Sequence, residues 1–423
     1  MKRKSRSIIY RVGFFLAVRQ IRRASKWTTL LIIAVMTLTF LNLVVVNGVL
    51  VGLIESSVQA TRERGTGDLF ITNLQQKTSI ERSEEIVQVL KGLPDVTSLV
   101  TKYTGSAVIN ADYRRKLSQD EVPNKAAAPL AGIDSLDEEQ TFGLSKYVVE
   151  GTYLQPDDAD GIMIGASILF KYTPIEVAGF ESLRNVAIGD RVKVSVGNNS
   201  KEMIIRAFIK SKVDANDFRV FMNKNEARKL IGSTDANVNE IGVKFRPEVA
   251  DAAAVRVKEI LNNNGFDQGA RIQTWEEAQP KFLKDISNMF ALLGNMIGSI
   301  GLAVASITIF IVIFVNALTR RKFIGILKGV GIDPASIEIS YIIQSVFYAV
   351  AGSAIGLVLL YAVLVPFVDA HPIPFPFSDG ILYAPLLGTM VRVVLLLIVT
   401  VIAGYIPARM IVKKNTLDSI LGR

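Results

Sequence analysis

Few side chains in this sequence could do covalent chemistry. The 423 residues include no Cys and one His, His371. That excludes disulfides, thiolate nucleophiles and thiolate metal sites, together with HExxH-type and multi-His metal centres. Asp157, Asp158 and Asp160 form an acidic turn without the spacing or terminal Glu of a calcium loop, so they read as solvated. Glu84–Glu85 and Asp137–Glu138–Glu139 read as solvated faces rather than acid/base pairs. No GxxxxGK[ST], GxGxxG or GxSxG motif occurs. His371 stands among Pro372, Pro374 and Pro376, where a structural role is expected. The apolar runs hold neither an Asp pair nor a Ser/His pair for intramembrane hydrolysis. A chain that is no enzyme, with no metal or cofactor of its own, is the expectation.

The residue types that do recur with regular spacing are small. Gly48 and Gly52, Gly294 and Gly298, and Gly352 and Gly356 are three GxxxG pairs inside apolar runs. Such pairs let helix backbones approach closely, within one chain or between two. Asn42, Asn47, Asn295, Asn316 and Gln344 are candidates for hydrogen bonds between those helices. The elements that carry them are long. Half the sequence is hydrophobic, and mean hydropathy is +0.34. Residues 27–54, 287–319 and 339–368 carry no charge over 28, 33 and 30 residues. A fourth run, 381–412, is broken by Arg392 and is apolar from Val393 to Ala408; Arg392 reads as near the outer end, snorkelling to the interface or facing a partner helix. A bilayer core of ~30 Å needs about 20 apolar residues, so four transmembrane helices are expected.

The net charge of +9 follows these spans. Residues 55–286 hold 30 Lys/Arg and 34 Asp/Glu, leaving 18 Lys/Arg and 5 Asp/Glu elsewhere. A surplus beside apolar runs is the pattern of membrane topology and argues against nucleic acid. Lys2, Arg3, Lys4, Arg6, Arg11, Arg19, Arg22, Arg23 and Lys26 precede the first span. Arg320, Arg321, Lys322 and Lys328 follow the second, and Arg409, Lys413 and Lys414 follow the fourth. Both termini and the 320–337 loop are therefore expected in the cytosol, and 55–286 and 369–386 outside. The first run is too long for a cleaved signal and reads as an anchor. Residues 7–26 read as a basic amphipathic helix on the cytoplasmic leaflet, with Ile8, Val12, Phe15 and Leu16 on one face.

The outer domain, 55–286, reads as α+β. Strand patterns at 68–72 and 96–110 flank a capping box at Thr78–Glu81, and strands at 241–245 and 270–274 flank a helix opened by Pro247. This β-α-β … β-α-β order, 65–144 and 236–275, is split by a β-rich insertion, 145–235, with strands at 147–153, 161–165, 191–196 and 203–209. A second capping box, Thr274–Glu277, is expected to start a helix that Pro280 kinks or restarts and that runs on as a stalk into 287–319.

The loop 320–337, RRKFIGILKGVGIDPASI, is the most specific local signal. It has a basic start, an apolar stripe, and Asp333–Pro334 to cap the next helix. An amphipathic helix between two spans can lie in a groove of a cytosolic partner. The loop resembles that of MacB/FtsX/LolC-type permeases, the type VII ABC transporter family, whose pattern R-x-x-E-I-G-I-L-[KR]-A-[LIV]-G is matched at Arg320, Ile324, Gly325, Ile326, Leu327, Lys328 and Gly331. Phe323 and Gly329 stand where the family has Glu and Ala. The stretch from Phe14 to Ile32, Val149–Tyr153 with Gly189–Arg191, and Gly404–Arg409 followed by Asn415–Leu421 are similar to further family patterns.

The resemblance implies a porter-like subdomain at 65–144 and 236–275 and a sabre-like one at 145–235. The remaining ranges it implies are a cytoplasmic helix 1–26, spans at 27–54, 287–319, 339–368 and 387–412, and a tail 413–423. It implies a dimer of identical or related chains in a bacterial or archaeal cytoplasmic membrane, in contact with its lipids. Cytosolic ATPase subunits holding ATP and Mg would grip Arg320, Phe323, Ile324, Gly325, Leu327, Lys328 and Gly331, and a periplasmic adaptor could join. Asp at Gly325 and Leu327 is expected to abolish ATPase capture and leave insertion intact. The function implied is export or extrusion of lipoprotein, lipid, peptide or drug. A non-transporting FtsX-like relay that activates a cell-wall hydrolase is the alternative, and a scaffold without ATPase a third.

Overall fold

A computed structural model describes residues 2–115, 123–174, 181–279, 281–374, 379–380 and 382–413. The Pro280 kink, Pro376, Lys414 and the 415–421 motif lie outside the described residues. In chain order the elements are α1 (Lys2–Arg23), α2 (Lys26–Thr61), a π-turn (Arg62–Thr66), β1 (Leu69–Asn73), α3 (Ser83–Lys91), β2 (Val96–Asn110), β3 (Lys125–Ile133), α4 (Ser135–Phe142) and β4 (Val148–Gly151). There follow β5 (Gly161–Gly165), β6 (Arg191–Val196), β7 (Asn199–Ile209), α5 (Asp214–Asp217), β8 (Val220–Asn223), α6 (Lys224–Ile231), β9 (Glu240–Phe245), α7 (Ala250–Asn263) and β10 (Ala270–Thr274). The chain ends with α8 (Lys281–Thr319), α9 (Arg321–Gly329), α10 (Pro334–Leu359), a second π-turn (Leu360–Leu364), α11 (Val365–Ala370), the two-residue strands β11 (Ile373–Pro374) and β12 (Asp379–Gly380), and α12 (Leu386–Val412).

Two compact units result among the described residues: 2–55, 285–374, 379–380 and 382–413, and 56–115, 123–174, 181–279 and 281–284. The first is helical. Four of its helical stretches are long and apolar enough to cross a membrane. At 36 and 39 residues, α2 and α8 are about 54 and 58 Å long, more than a bilayer core requires. Its core joins Met36, Phe40 and Val44 of α2 to Ala305, Ile309 and Ile313 of α8, Tyr341 and Tyr348 of α10, and Leu396 and Ala403 of α12.

The α/β unit is one ten-stranded sheet, ordered β10-β1-β9-β2-β3-β8-β5-β7-β4, with β6 paired to β2 and β7. The split β-α-β pattern is present as β1-α3-β2 and β9-α7-β10. β2 belongs to both halves of the sheet: 96–102 pair with β9, and 103–110 with β3. At this changeover Lys102 and Glu138 form a buried ion pair, N to O 2.6 Å, 3% and 1% exposed. Glu240, opposite Lys102 in the register, pairs with Arg219 at 3.0 Å. Burial pushes the Glu240 carboxyl up, but Arg219 and Lys102 outweigh it and hold it below its usual range.

Local signals misled at two helix starts. Thr78–Glu81 forms no cap; the Thr78 carbonyl accepts from Asn239 Nδ2 (2.5 Å), the Ile80 N–H goes to Val238 O (2.8 Å), and the helix waits until Ser83. At Thr274, Glu277 Oε2 does accept the Thr274 N–H (3.0 Å), one half of a capping box, but Glu277 also holds Lys258 at 2.6 Å. Residues 275–279 therefore turn, and α8 begins at Lys281.

The helix at 7–26 also differs from a simple surface helix. α1 packs along α10: Leu16 and Ala17 are buried, a Cβ on Gly13 would meet Ile339 Cγ2 at 2.7 Å, and Gln344 Nε2 donates to Gln20 Oε1 at 2.5 Å. Ile8, Phe14 and Phe15 stay exposed.

Candidate functional site

Five of the eight acidic residues weighed for chemistry, Glu85, Glu138, Glu139, Asp158 and Asp160, are engaged in structure. Asp158 holds Arg206 (2.9 Å) and Asp160 holds Lys201 (3.1 Å). Glu85 pairs with Arg82, and Glu139 accepts from Ser145 N (2.8 Å) and Oγ (2.7 Å). Among the described residues, no group of three or more His, Asp or Glu could hold a metal ion. The His371 ring stacks on Phe367, centroids 5.1 Å apart.

What remains is packing and one presented surface. Each glycine pair of the apolar runs faces a neighbouring segment of the same helical unit. A Cβ on Gly352 would lie 2.5 Å from Met36 Cβ, one on Gly356 2.3 Å from Phe40 Cδ1, and one on Gly298 2.9 Å from Leu43 Cδ1. A Cβ on Gly294 would lie 3.0 Å from Asn47 Cγ, and Asn47 Nδ2 donates to Asn295 Oδ1 (3.3 Å). A Cβ on Gly48 would lie 2.9 Å from the Tyr383 carbonyl oxygen, and Gly52 is buried. Thr37 Oγ1 donates to the Gly352 carbonyl at 3.2 Å, which requires the same close approach. Arg392 is half-buried, two turns into α12, where a Cβ on Gly388 would lie 3.6 Å from its Nη1.

The presented surface is α9. Its fold is set at both ends. Lys328 Nζ donates to the Val412 carbonyl (3.0 Å), satisfying an orphan acceptor at the end of α12. The helix closes with Gly331 N to Lys328 O and Ile332 N to Leu327 O, both 3.0 Å, over a Gly331 φ of +93°, which suits glycine. Asp333 then caps α10, accepting from Ala335 N at 2.8 Å with Pro334 at the first helical position. Asp333→Ala is expected to cost about 1 kcal/mol, read as a lower Tm of the full chain in detergent.

This geometry sorts the seven residues singled out from sequence. Ile324 and Gly325 are buried, Leu327 packs against the core, Lys328 is engaged with α12, and Gly331 makes the turn. Arg320 precedes the helix, its carbonyl accepting from Ile324 N at 3.0 Å. Phe323 alone of the apolar members points outward. It is joined by Ile326 and Val330, 49, 53 and 79% exposed respectively, at i, i+3 and i+7 on one face. Those two were missed, although their spacing from Phe323 was legible. The Gly325/Leu327 substitutions would therefore strike the packing of the helical unit itself. Lys322, exposed and one turn before Ile326, flanks the apolar stripe.

Residues 295–416, which include α9, match the family of FtsX-like permease C-terminal domains. The chain is 24% identical over 282 residues to an uncharacterized ABC transporter permease of Methanocaldococcus jannaschii, covering 65% of either chain. It is 22% identical over 201 residues to the uncharacterized ABC transporter permease YknZ of Bacillus subtilis, covering 46% of this chain and 47% of that one. To the Bacillus subtilis ABC transporter permease YtrF it is 28% identical over 137 residues, 29% of this chain and 30% of that one. Each match spans less than two thirds of the relative's length. Among solved structures, the periplasmic region of MacB from Actinobacillus actinomycetemcomitans aligns with a TM-score of 0.35 at 15% identity, covering 51% of this chain and 92% of that one. The extracellular domain of the Gram-positive transporter YknZ aligns at 0.32 and 14% identity, covering 50% and 100%.

Proposed function

We propose, from the premise that the chain is an ABC transporter permease of the FtsX-like type, that it couples ATP hydrolysis in a cytosolic partner to work by its α/β unit on the opposite side of the membrane. The observation that carries this is the outward stripe Phe323, Ile326 and Val330, flanked by Lys322, on a helix fastened to the end of α12. A short amphipathic helix with apolar anchors and a basic rim suits a groove with acidic edges on a partner protein. ATP and Mg belong to that partner. The basic ends of the spans support an orientation with α9 in the cytosol and the α/β unit outside.

The substrates this reading favours are lipoproteins, lipids, peptides or drugs drawn from the outer leaflet or the space beyond it. A second permease chain completes the membrane part. Affinity purification of the full chain in mild detergent tests the reading. An ABC ATPase is expected among the proteins that co-purify, and its ATP hydrolysis is expected to respond to the chain. A cell-wall hydrolase bound with that ATPase would move the reading to a mechanical relay. A preparation that holds its partners but contains no ATPase would overturn it.

A further inference from the structure

Helix α2 ends in an unusual way. It passes into the π-turn Arg62–Thr66, which Gly67 closes by donating its N–H to the Arg62 carbonyl (3.0 Å) at a φ of +76°. A Cβ on Gly67 would lie 2.5 Å from the Val243 carbonyl, so the turn is pressed onto β9. π-turns are rare and recur at functional positions. Here the turn aims two arginines, two residues apart, and residues at that spacing point to different sides of a helix.

The two arginines grip different halves of the sheet. Arg62 donates from Nε to Asp68 Oδ1 (2.6 Å), and its Nη2 lies 2.8 Å from Asp251 Oδ1 of α7. Its guanidinium stacks over Trp275, 4.7 Å from the ring. Trp275 completes the cluster: its ring N–H donates to Asp251 Oδ1 (3.1 Å) and its backbone N–H to the Asp68 carbonyl (3.0 Å). Asp68 Oδ2 in turn accepts the Phe245 N–H of β9 (2.9 Å). The chain leaving α2 and the chain leading into α8 are thus tied together at the β10-β1-β9 end. Arg64 reaches the other way. It donates to the Ser211 carbonyl beyond β7 (2.7 Å) and lies 4.7 Å over Tyr147, next to β4. Its own carbonyl accepts from Asn216 of α5 (2.8 Å). Ser211 and Lys212 are held by Asp217, which accepts N–H bonds of 2.6 and 2.9 Å.

We propose that the π-turn Arg62–Thr66 is a two-armed joint that delivers movement of α2 to both halves of the sheet, with Arg62 and Arg64 as its positioning residues. The inference rests on the coupling reading above. A mechanical input spreads through packed and hydrogen-bonded elements only where these are held to the moving part. Each arm here is a charged donor held in fixed geometry by its acceptors and an aromatic face.

The absence of Cys makes spin labelling site-specific. Nitroxides are placed on the full chain in nanodiscs at Gln59→Cys with Val255→Cys for the first arm, and at Gln59→Cys with Val149→Cys for the second. Arg62→Ala is expected to widen the Gln59–Val255 distance distribution about twofold and to leave Gln59–Val149 unchanged. Arg64→Ala is expected to do the reverse, and Arg64→Lys to restore part of the loss. Trp275→Phe and Asn216→Ala are milder versions of the same two effects should either arginine variant fail to fold. Unchanged widths in all variants, or equal widening of both pairs by either substitution, would overturn the joint. Adding ATP to the complex with its co-purified ATPase separates the two claims. Movement of both labelled halves in the parent, with one half left behind in each variant, supports both. Stationary labels in a parent that hydrolyses ATP overturn the coupling reading, and delivery of movement with it, while the arm-specific widths stand as anchorage alone.

Discussion

Asp in place of Phe323, Ile326 and Val330 is expected to weaken capture of the cytosolic ATPase by about 30-fold or more, the scale of losing interface anchors worth 2 kcal/mol or above. The three side chains form one outward stripe on α9, and none of them fills the core of the helical unit. Their replacement therefore removes apolar anchors and places negative charge beside Lys322 without opening a cavity. Membrane insertion and Tm are expected to stay within the range of ordinary surface substitutions, roughly ±0.5 kcal/mol. Ile324→Asp is the control. Ile324 is 2% exposed, so a carboxylate there is buried without a partner and the helical unit itself is expected to fail. Pull-down with purified ATPase, alongside a thermal melt in detergent, separates the two effects. Capture unchanged in the triple variant would remove α9 from the interface.

The second large effect is expected in the α/β unit. Lys102→Met should destabilise it by about 3–5 kcal/mol, because Glu138 is left charged and buried. Lys102 also supports the ionised form of Glu240, and its ammonium lies 5.1 Å from the Phe142 ring, so two further contacts are lost. The pH dependence has a definite sign. Glu240 is held below its unfolded pKa, so its contribution is present above that value and is lost as pH falls through the folded one. Lys102→Met should flatten the acid side of the stability profile, because less Glu240 stabilisation is left to be lost there, as measured by urea unfolding of the full chain at several pH values. The double variant Lys102→Met with Glu138→Leu should recover most of the loss, since no buried charge is then stranded at α4.

Much of this fold could be read from residue patterns, and the reasons differ by region. The membrane helices are set by length and hydropathy alone, a one-dimensional signal that tertiary contacts cannot easily override. The strands Gly161–Gly165 and Arg191–Val196 coincide with their β-rich runs because buried apolar and alternating patterns leave few other options. The cap at Asp333–Pro334 is local chemistry and forms as read. The failures at Thr78 and Thr274 both involve distant partners: Asn239 bonds the Thr78 carbonyl, and Lys258 pairs with Glu277 even as Glu277 keeps its bond to the Thr274 N–H. No window of sequence around either site contains them.

The surface on α9 was half legible. Family pattern matching marked residues by identity, and most of those it marked serve the packing of α9 against its own helical unit. Which side of the helix is free depends on α12 being where Lys328 can reach Val412, a contact 84 residues apart. The joint at Arg62 and Arg64 had no sequence signal, because its meaning lies in a π-turn and in acceptors as distant as Ser211 and Asp251.

Single-cysteine labelling in intact cells and inside-out vesicles tests the central claim most directly, since no native Cys competes. Val330→Cys on α9 and Val255→Cys on α7 are both exposed positions. A membrane-impermeant maleimide is expected to modify Val255→Cys from outside the cell and Val330→Cys only from the cytosolic face. Modification of both positions from the same side would contradict a chain that takes up motion on one face of the membrane and delivers it on the other.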